Sequence, residues 1–378
     1  MGDNFINPFE ELPEALVDDF LNKSKGVGDI LKKQFNDINL SKEKIRSSLE
    51  KEKIIHNEAD YMIVSHPTSC GTDGSYVIEN LVSCDLVAIA GVAVEGLTPP
   101  TEKRYWPSPK HLPEIIPTSH NADNSSVARA IMMTMELELA ARAPHDIIFL
   151  DGSLATPAIF LNRGFGAVRN ISGELQKIFM NRGEDALKNY KKILLCQRTD
   201  QIYVGVPKAS SRKEVSDRIK YTSHYDDKAL LTFVLMPGEF VGPIKFISDD
   251  WHILLPPELK NKNNEKLIEE IISLLKELHV IYYRPYSWMP VIRFEITKSV
   301  AEDNNRIGLL LKGIKFQCTA PGILEPYPTY LADRMVKHLT TAIPAIRKYA
   351  LQEMMLEDKE DGPNLFLSMH NYRTKSNR

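Results

Sequence analysis

The stretch DIIFLDGSLATPAIF, Asp146–Phe160, decides the fold. Ile147–Leu150 is an unbroken apolar run, the pattern of a strand buried on both faces. Such a strand belongs to a sheet with helices on either side. The run stops at Asp151-Gly152-Ser153. In open α/β sheets, ligands bind beyond the carboxyl ends of the strands. Asp151 is therefore either a site acid or the first residue of a plain Asp-Gly turn.

The same triplet occurs at Asp73–Ser75, within GTDGSYVIENLVSCDLVAIAGVAVEG (Gly71–Gly96). It precedes an expected β-hairpin or meander, Tyr76–Leu81 followed by Leu86–Val94. Between the two triplets lies SSVARAIMMTMELELAARA, Ser125–Ala143. Its Ala, Met, Leu and Glu are strong helix formers, and a helix is predicted there. Glu136 and Glu138 point about 200° apart on such a helix, so only one of them faces the sheet. That glutamate and the two aspartates can converge. Two like charges ~4 Å apart at an effective dielectric of ~20 repel by roughly 4 kcal/mol. A divalent cation removes that penalty. Oxygen ligands without Cys or an obligatory His favour Mg²⁺ or Mn²⁺ over Zn²⁺. Ions held by acids activate water for phosphodiester cleavage.

Competing chemistries lack their motifs. There is no G-x-x-x-x-G-K-[ST], H-E-x-x-H, C-x-x-C or G-x-S-x-G, and GFGAVR (Gly164–Arg169) lacks the third glycine of a dinucleotide site.

Outward from these segments the chain reads as a mixed α/β core, a central sheet covered by helices. Residues 1–58 are helical in pattern. Leu12, Leu16 and Phe20, then Ile30, Leu31 and Phe35, recur at helical spacing and suggest an outer helix pair, either simply solvated or a docking surface. Prolines from Pro99 to Pro117 mark an irregular excursion, read as an insertion over the core at 97–124. Helices are expected at about 172–192, 265–278 and 329–355. Strands are expected in YMIVSHP (61–67), KKILLCQ (191–197), IYVGVPK (202–208), ALLTFVLMPG (229–238), VIYYRPY (280–286) and PVIRFEIT (290–297).

Of the 378 residues, 43% are apolar and 26% charged, enough for a sizeable core. The longest uncharged apolar run, Leu86–Val94, is far shorter than the ~20 residues of a bilayer span. The acidic N-terminus lacks the plan of a signal peptide. The four cysteines are scattered, so reduced thiols in a cytoplasm are expected. A net charge of −3 does not advertise nucleic-acid binding, yet it leaves room for a local basic face. Lys208, Arg212 and Lys213 offer one, as phosphate contacts or as a solvated loop. Arg293 and Glu295 share one strand face, as a structural ion pair or as a further phosphate contact. Trp288, Tyr283 and Tyr286 either stack on unpaired bases or pack beneath a sheet edge.

Taken in order, the two triplets, the helical glutamate, IYVGVPKASSR (Ile202–Arg212), LLTFVLMPGEFVGPI (Leu230–Ile244), YYRPYSWMPVIRFEI (Tyr282–Ile296) and EPYPTYLADRM (Glu325–Met335) resemble the NurA nucleases. These are prokaryotic DNA-end-processing enzymes that work with the hexameric ATPase HerA. The resemblance covers about residues 60–350. It implies an RNase H-like core close to the PIWI domain of Argonaute proteins, and Mn²⁺- or Mg²⁺-dependent endo- and 5′-3′ exonuclease activity on DNA. It also implies a homodimer docked on a HerA-type motor, in repair or anti-phage defence in a prokaryotic cytoplasm. By position it makes Asp73, Glu136 and Asp151 metal ligands, with Tyr327 and Asp333 completing the site. Glu138 is the alternate to Glu136. Many members carry His where Asp333 stands, which makes His338 the alternate there. The implied plan is a helical segment at 1–58 for docking or dimerisation, a nuclease domain at 59–355 and a tail at 356–378. The rival reading is a catalytically inactive PIWI-like nucleic-acid-binding or adaptor subunit of a hexameric motor.

Overall fold

The computed structural model describes residues 9, 12–61, 65–208, 212–222, 225–246, 250–357 and 362–370. Parts of the expected strand at 61–67, of the segment at 202–212 and of the tail at 356–378 lie outside the described residues.

Nine strands form one sheet: β1 (Ile55–Asn57), β2 (Ser69–Asn80), β3 (Asp85–Glu95), β4 (Lys110–Thr118), β5 (Ile147–Asp151), β6 (Ile202–Val206), β7 (Glu239–Lys245), β8 (His279–Tyr283) and β9 (Ile292–Ile296). Their order is β1-β7-β8-β9-β6-β5-β2-β3-β4. β2, β3 and β4 are an antiparallel meander, and β5 and β6 run parallel to β2. That half is an RNase H-like sheet. The other half extends it with antiparallel pairs.

The helices are α1 (Glu14–Lys51), α2 (Asn124–Arg142), α3 (Thr156–Ala167), α4 (Glu174–Leu195), α5 (Glu214–Arg218), α6 (Asp227–Val234), α7 (Lys262–Leu275), α8 (Lys298–Ala301), α9 (Asn304–Gln317), α10 (Tyr327–Glu357) and α11 (Gly362–Ser368). None of the described helices is long and apolar enough to cross a membrane.

Two glycines of β2 show how the layers stack. A Cβ at Gly74 would lie 2.6 Å from Glu136 Oε1 and from Met132 Cγ, so α2 packs directly on the strand there. A Cβ at Gly71 would lie 2.5 Å from the Pro328 backbone carbonyl carbon, at the start of α10. Positions three apart on a strand face opposite ways. α2 and α10 therefore cover opposite faces of the sheet at β2. α4 packs outside α2, and α7 outside α4. The strand core is dry: Ile147, Ile148, Phe149, Ile202 and Val204 are all fully buried.

Several expectations need correction. The N-terminal segment is one helix of 38 residues rather than a pair. Residues 191–195 of KKILLCQ continue α4, because Tyr190, Ile193 and Leu194 prolong its buried stripe until Cys196 turns left-handed at φ 44°. ALLTFVLMPG forms helix rather than strand through Val234. The Asp226 carboxylate caps it by accepting from Ala229 N at 2.7 Å, and Leu230, Leu231 and Val234 make its buried face. The excursion at 97–124 contains β4, the third strand of the meander. β4 lies at the sheet edge, where one side of the strand has no ladder partner and prolines such as Pro113 and Pro117 are tolerated. Finally, Asp73 does not precede the hairpin; it lies inside β2.

Candidate metal centre

β2 and β5 pair in parallel, with Thr72 opposite Leu150. The next residue on each strand is an aspartate, so Asp73 and Asp151 stand side by side. Asp73 shares the strand face of Gly71, the face covered by α10. From α10, in its second turn, Asp333 reaches the same point. Asp73, Asp151 and Asp333 each offer a carboxylate oxygen, and the three oxygens lie within 4.8 Å of one another, the one such group of acids, His or Cys among the described residues.

A single ammonium holds this cluster together. Lys208, two residues beyond β6, places Nζ 2.9 Å from Asp151 Oδ2, 3.0 Å from Asp333 Oδ1 and 3.6 Å from Glu325 Oε2. Lys337 binds the other Asp333 oxygen at 2.6 Å. Both lysines hold the Asp333 carboxyl below its ordinary range despite partial burial. The acids in turn hold Lys208 above the usual ammonium value, against the pull of burial.

Asp73 has less help. Its Oδ1 accepts from Gly74 N at 2.8 Å. Burial, followed by the charge of Asp151, pushes its pKa up to about 8. Glu136 approaches from the α2 side, beneath Gly74. It is fully buried, and burial first, then Asp73 and Asp151, raise its carboxyl well above the usual range. Glu136 is not among the three mutually close acids, because the β2 backbone lies between its helix and the α10 face. Glu138 points elsewhere and pairs with Arg182 at 2.6 Å and Arg142 at 2.7 Å.

The turn after Asp151 is pinned from behind. Ser153 donates to Glu295 Oε2 at 2.5 Å, and Leu154 N donates to the same oxygen at 2.8 Å. Glu295 also pairs closely with Arg293, which bonds Glu214 at 2.9 Å. Arg293, expected as a phosphate contact, is only 1% exposed and belongs to this buried network. Tyr282 donates to Glu214 at 2.9 Å, and Tyr283 to Glu58; both are fully buried, and of the two readings for Tyr283 the structure has it packed in the core.

The remaining candidates are more dispersed. Tyr327 opens α10, with its ring stacked against Tyr330 at 6.5 Å. His338 is exposed further along α10, and Asp333 itself occupies the cluster. Arg212 and Lys213 are half-buried, with Arg212 over the Phe246 ring at 5.2 Å. Trp288 stacks on Tyr286 at 4.4 Å and is half exposed.

A model of the NurA domain matches residues 67–337, which span both triplets, the helical glutamate and Asp333. The chain belongs to the NurA family. The crystal structure of the NurA nuclease from Sulfolobus solfataricus aligns over 92% of this chain and 99% of that one, at 17% identity and a TM-score of 0.56. A crystal structure of NurA bound to dAMP and manganese aligns over 85% of this chain and 97% of that one, at 14% identity and a TM-score of 0.46. Ciona intestinalis Endonuclease V in complex with DNA aligns over 82% and 99%, at 14% identity and a TM-score of 0.27. No curated protein matches.

Within the NurA frame, one acid escaped the sequence reading. Glu325 sits in the loop before α10, with Oε2 buried and lacking a hydrogen-bond donor. Burial raises its carboxyl, and Lys208 partly offsets that. Only the quoted segment EPYPTYLADRM flagged it, and a glutamate before a Pro-rich helix start carries no local sign of where it points. Lys208 was read as a phosphate contact or part of a solvated loop; its placement among acids depends on the segment after β6 meeting Asp333 of α10.

Proposed function

We propose that this chain is a metal-dependent deoxyribonuclease acting at the Asp73–Asp151–Asp333 cluster. One observation carries the reading: three carboxylates from β2, β5 and α10 share a single point on the RNase H-like sheet of a NurA-family chain. The solved family member from S. solfataricus is itself a nuclease.

The residues fit a hard divalent ion. The donor set is all oxygen, which suits Mn²⁺ or Mg²⁺. The cluster already holds a cation, the Lys208 ammonium, and Glu325 adds a buried oxygen without a donor. Asp73, Asp151 and Asp333 would hold the ion, with Glu136 supporting them from the α2 side. A bound ion supplies a water nucleophile at neutral pH and offsets charge on the phosphate. Lys208 binds and orients a backbone phosphate at the rim, and Arg212 and Lys213 extend that positive edge along the strand. The Ser153–Glu295–Arg293 network keeps the turn after Asp151 rigid, so the carboxylate does not drift from its partners.

The finer reading follows the family resemblance. Residues 59–355 are the nuclease domain, and residues 1–58 serve docking or dimerisation. The enzyme processes DNA ends, endonucleolytically and 5′ to 3′, as a homodimer fed by a HerA-type ATPase in repair or phage defence within a prokaryotic cytoplasm. The deciding experiment incubates the pure chain with end-labelled DNA and Mn²⁺, beside Asp73→Ala. Cleavage by the wild type and none by the variant supports the reading. Equal cleavage by both removes the cluster from the chemistry. No cleavage by the wild type with either ion, alone or with a HerA-type partner, favours the inactive adaptor.

A further inference from the structure

The start of α10 carries a face that the core does not use. Thr329, Ala332 and Val336 are exposed at 0%, 0% and 3% and point to the sheet. Asp333 stands at the margin of that face and joins the cluster. Turning further from the sheet, at about 100° per residue, the helix presents Lys337, then Tyr330, then Arg334 and Tyr327. Tyr327 and Tyr330 are partly exposed, and Arg334 and Lys337 are exposed. The four form a strip that begins at Asp333 and leads outward from it.

Within the strip the Tyr330 ring is held in place. Arg334, one turn on, sets its guanidinium over the ring, with Cζ 5.7 Å from the centroid, and Nη1 donates to the Tyr330 hydroxyl at 3.3 Å. Tyr327, one turn back, stacks on it with centroids 6.5 Å apart and planes 29° apart. At that separation the two rings are not in full face contact, so Tyr330 keeps area for a third ring. Neighbours three apart on a helix have Cβ atoms about 5–6 Å apart, and Tyr330 stands in that relation to Asp333. Lys337 bonds Asp333 at 2.6 Å on the same side. An oriented aromatic face with cations beside it suits a DNA strand whose bases are unpaired: the ring takes a base, and the cations take the backbone. A base inside a duplex does not offer its face, whereas a frayed or single-stranded one does.

On the nuclease reading of the cluster, on which this assignment rests, we propose that Tyr330 stacks on the unpaired base next to the scissile phosphate. Lys337 lies at the adjoining phosphate, and Arg334 is a positioning residue that acts by holding the Tyr330 ring. The site thereby selects frayed or single-stranded DNA over a closed duplex end.

Two measurements test it, the first without cleavage. Single-stranded DNA is substituted, one position at a time, with 5-iododeoxyuridine, which photo-cross-links to an aromatic ring stacked on it. Each strand is bound to the full chain in chelator and irradiated. At one position the cross-link should map to Tyr330, and Tyr330→Leu should lose it. Arg334→Gln should lower the yield several-fold, and Arg334→Lys should restore it. The second measurement compares Mn²⁺-dependent cleavage of two duplexes that differ only in a paired or a splayed end. The wild type should prefer the splayed end several-fold. Tyr330→Leu should erase that preference by raising KM for the splayed end about 10-fold with kcat little changed, and Tyr330→Trp should keep it. Thermal unfolding should be unchanged in these variants, because both side chains lie outside the core. A wild type that cross-links through Tyr330 yet cuts nothing keeps the stacking site and removes the nuclease reading. No cross-link to Tyr330 at any position, or an end preference that survives Tyr330→Leu, overturns the proposal, and an undiminished yield in Arg334→Gln removes Arg334 from it.

Discussion

Asp73 and Asp151 lie side by side on adjacent parallel strands, one register step past the Thr72–Leu150 pair. Their closeness is a property of strand pairing, not of loops. Both strands are fixed by fully buried neighbours, so the two carboxylates cannot relax apart without breaking the sheet. A sheet that forces acids together stores repulsion that a cation relieves. Asp333 comes from a helix over the same face and is the one of the three whose position depends on tertiary docking.

Replacing Asp73 with Asn keeps volume and shape and removes the charge. Groups that hydrogen-bond to a metal ligand are worth about 10–100-fold in affinity or activity, and a ligand at least as much. Asp73→Asn should therefore cut DNA cleavage about 100-fold or more, and Asp151→Asn likewise. Metal-free thermal stability near neutral pH should hold or rise in Asp73→Asn, because folding no longer forces a buried carboxyl to take up a proton. Cleavage assays and melting curves in chelator check both halves.

The raised Asp73 carboxyl makes the metal-free chain pH-sensitive. Its pKa is about 8 in the fold and ~3.9 in an unfolded chain. The folded state thus binds more protons than the unfolded state between those values. Stability contributed by this group is fully present below about pH 4 and is lost as pH rises toward 8. Melting in chelator should show that decline superimposed on other groups, and Asp73→Asn should flatten it. Protons and a divalent ion compete for the same oxygens, so apparent metal affinity should fall as pH drops below 8. A melting profile in which Asp73→Asn keeps the wild-type slope would falsify the assignment of the decline to this residue.

Lys208 and the divalent ion do the same electrostatic work in different states. In the metal-free chain, Lys208→Met leaves Asp151, Asp333 and Glu325 without their shared ammonium. Lys208 is partly exposed, so solvent screens the loss, and a deficit of about 1 kcal/mol is expected. Saturating Mn²⁺ should narrow that deficit, since the ion replaces the missing charge. Urea titrations with chelator and with Mn²⁺ measure it. A deficit that widens with Mn²⁺ would mean that Lys208 acts mainly on some other group.

Much of this site was legible because its parts carry local signals. The apolar run ending at Asp151 announced a buried strand with an acid at its carboxyl end, and that is where the structure has it. The helix between the triplets was plain from composition. The choice of Glu136 over Glu138 was not, since helical phase only says that one of them faces inward. The partners decided it: Arg142 and Arg182 draw Glu138 outward. Asp73 looked like a turn residue because Thr-Asp-Gly-Ser favours turns, yet a long central strand absorbs it once β3 and β5 pair on either side. ALLTFVLMPG has the β-branched and aromatic content of a strand, and a single cap from Asp226 with a helical burial stripe outweighs that. Glu325 carried no readable role because its place depends on α10 meeting Gly71, a contact some 250 residues apart in the chain.

Arg293 gives the sharpest contrast between a phosphate contact and a structural ion pair. It is buried between Glu214 and Glu295, and Glu295 holds the turn that follows Asp151. Removing one member of a buried ionic group typically costs about 3–5 kcal/mol, because the remaining charges lose their partner. Arg293→Met should destabilise the chain by that order in urea unfolding. Where the variant still folds, its DNA affinity should match the wild type, while cleavage falls because the Ser153 turn loosens behind Asp151. A DNA-contacting arginine would give the reverse: near-normal stability, weaker binding and a shallower dependence of affinity on salt. Equilibrium binding at two salt concentrations, alongside the unfolding curve, separates the two outcomes.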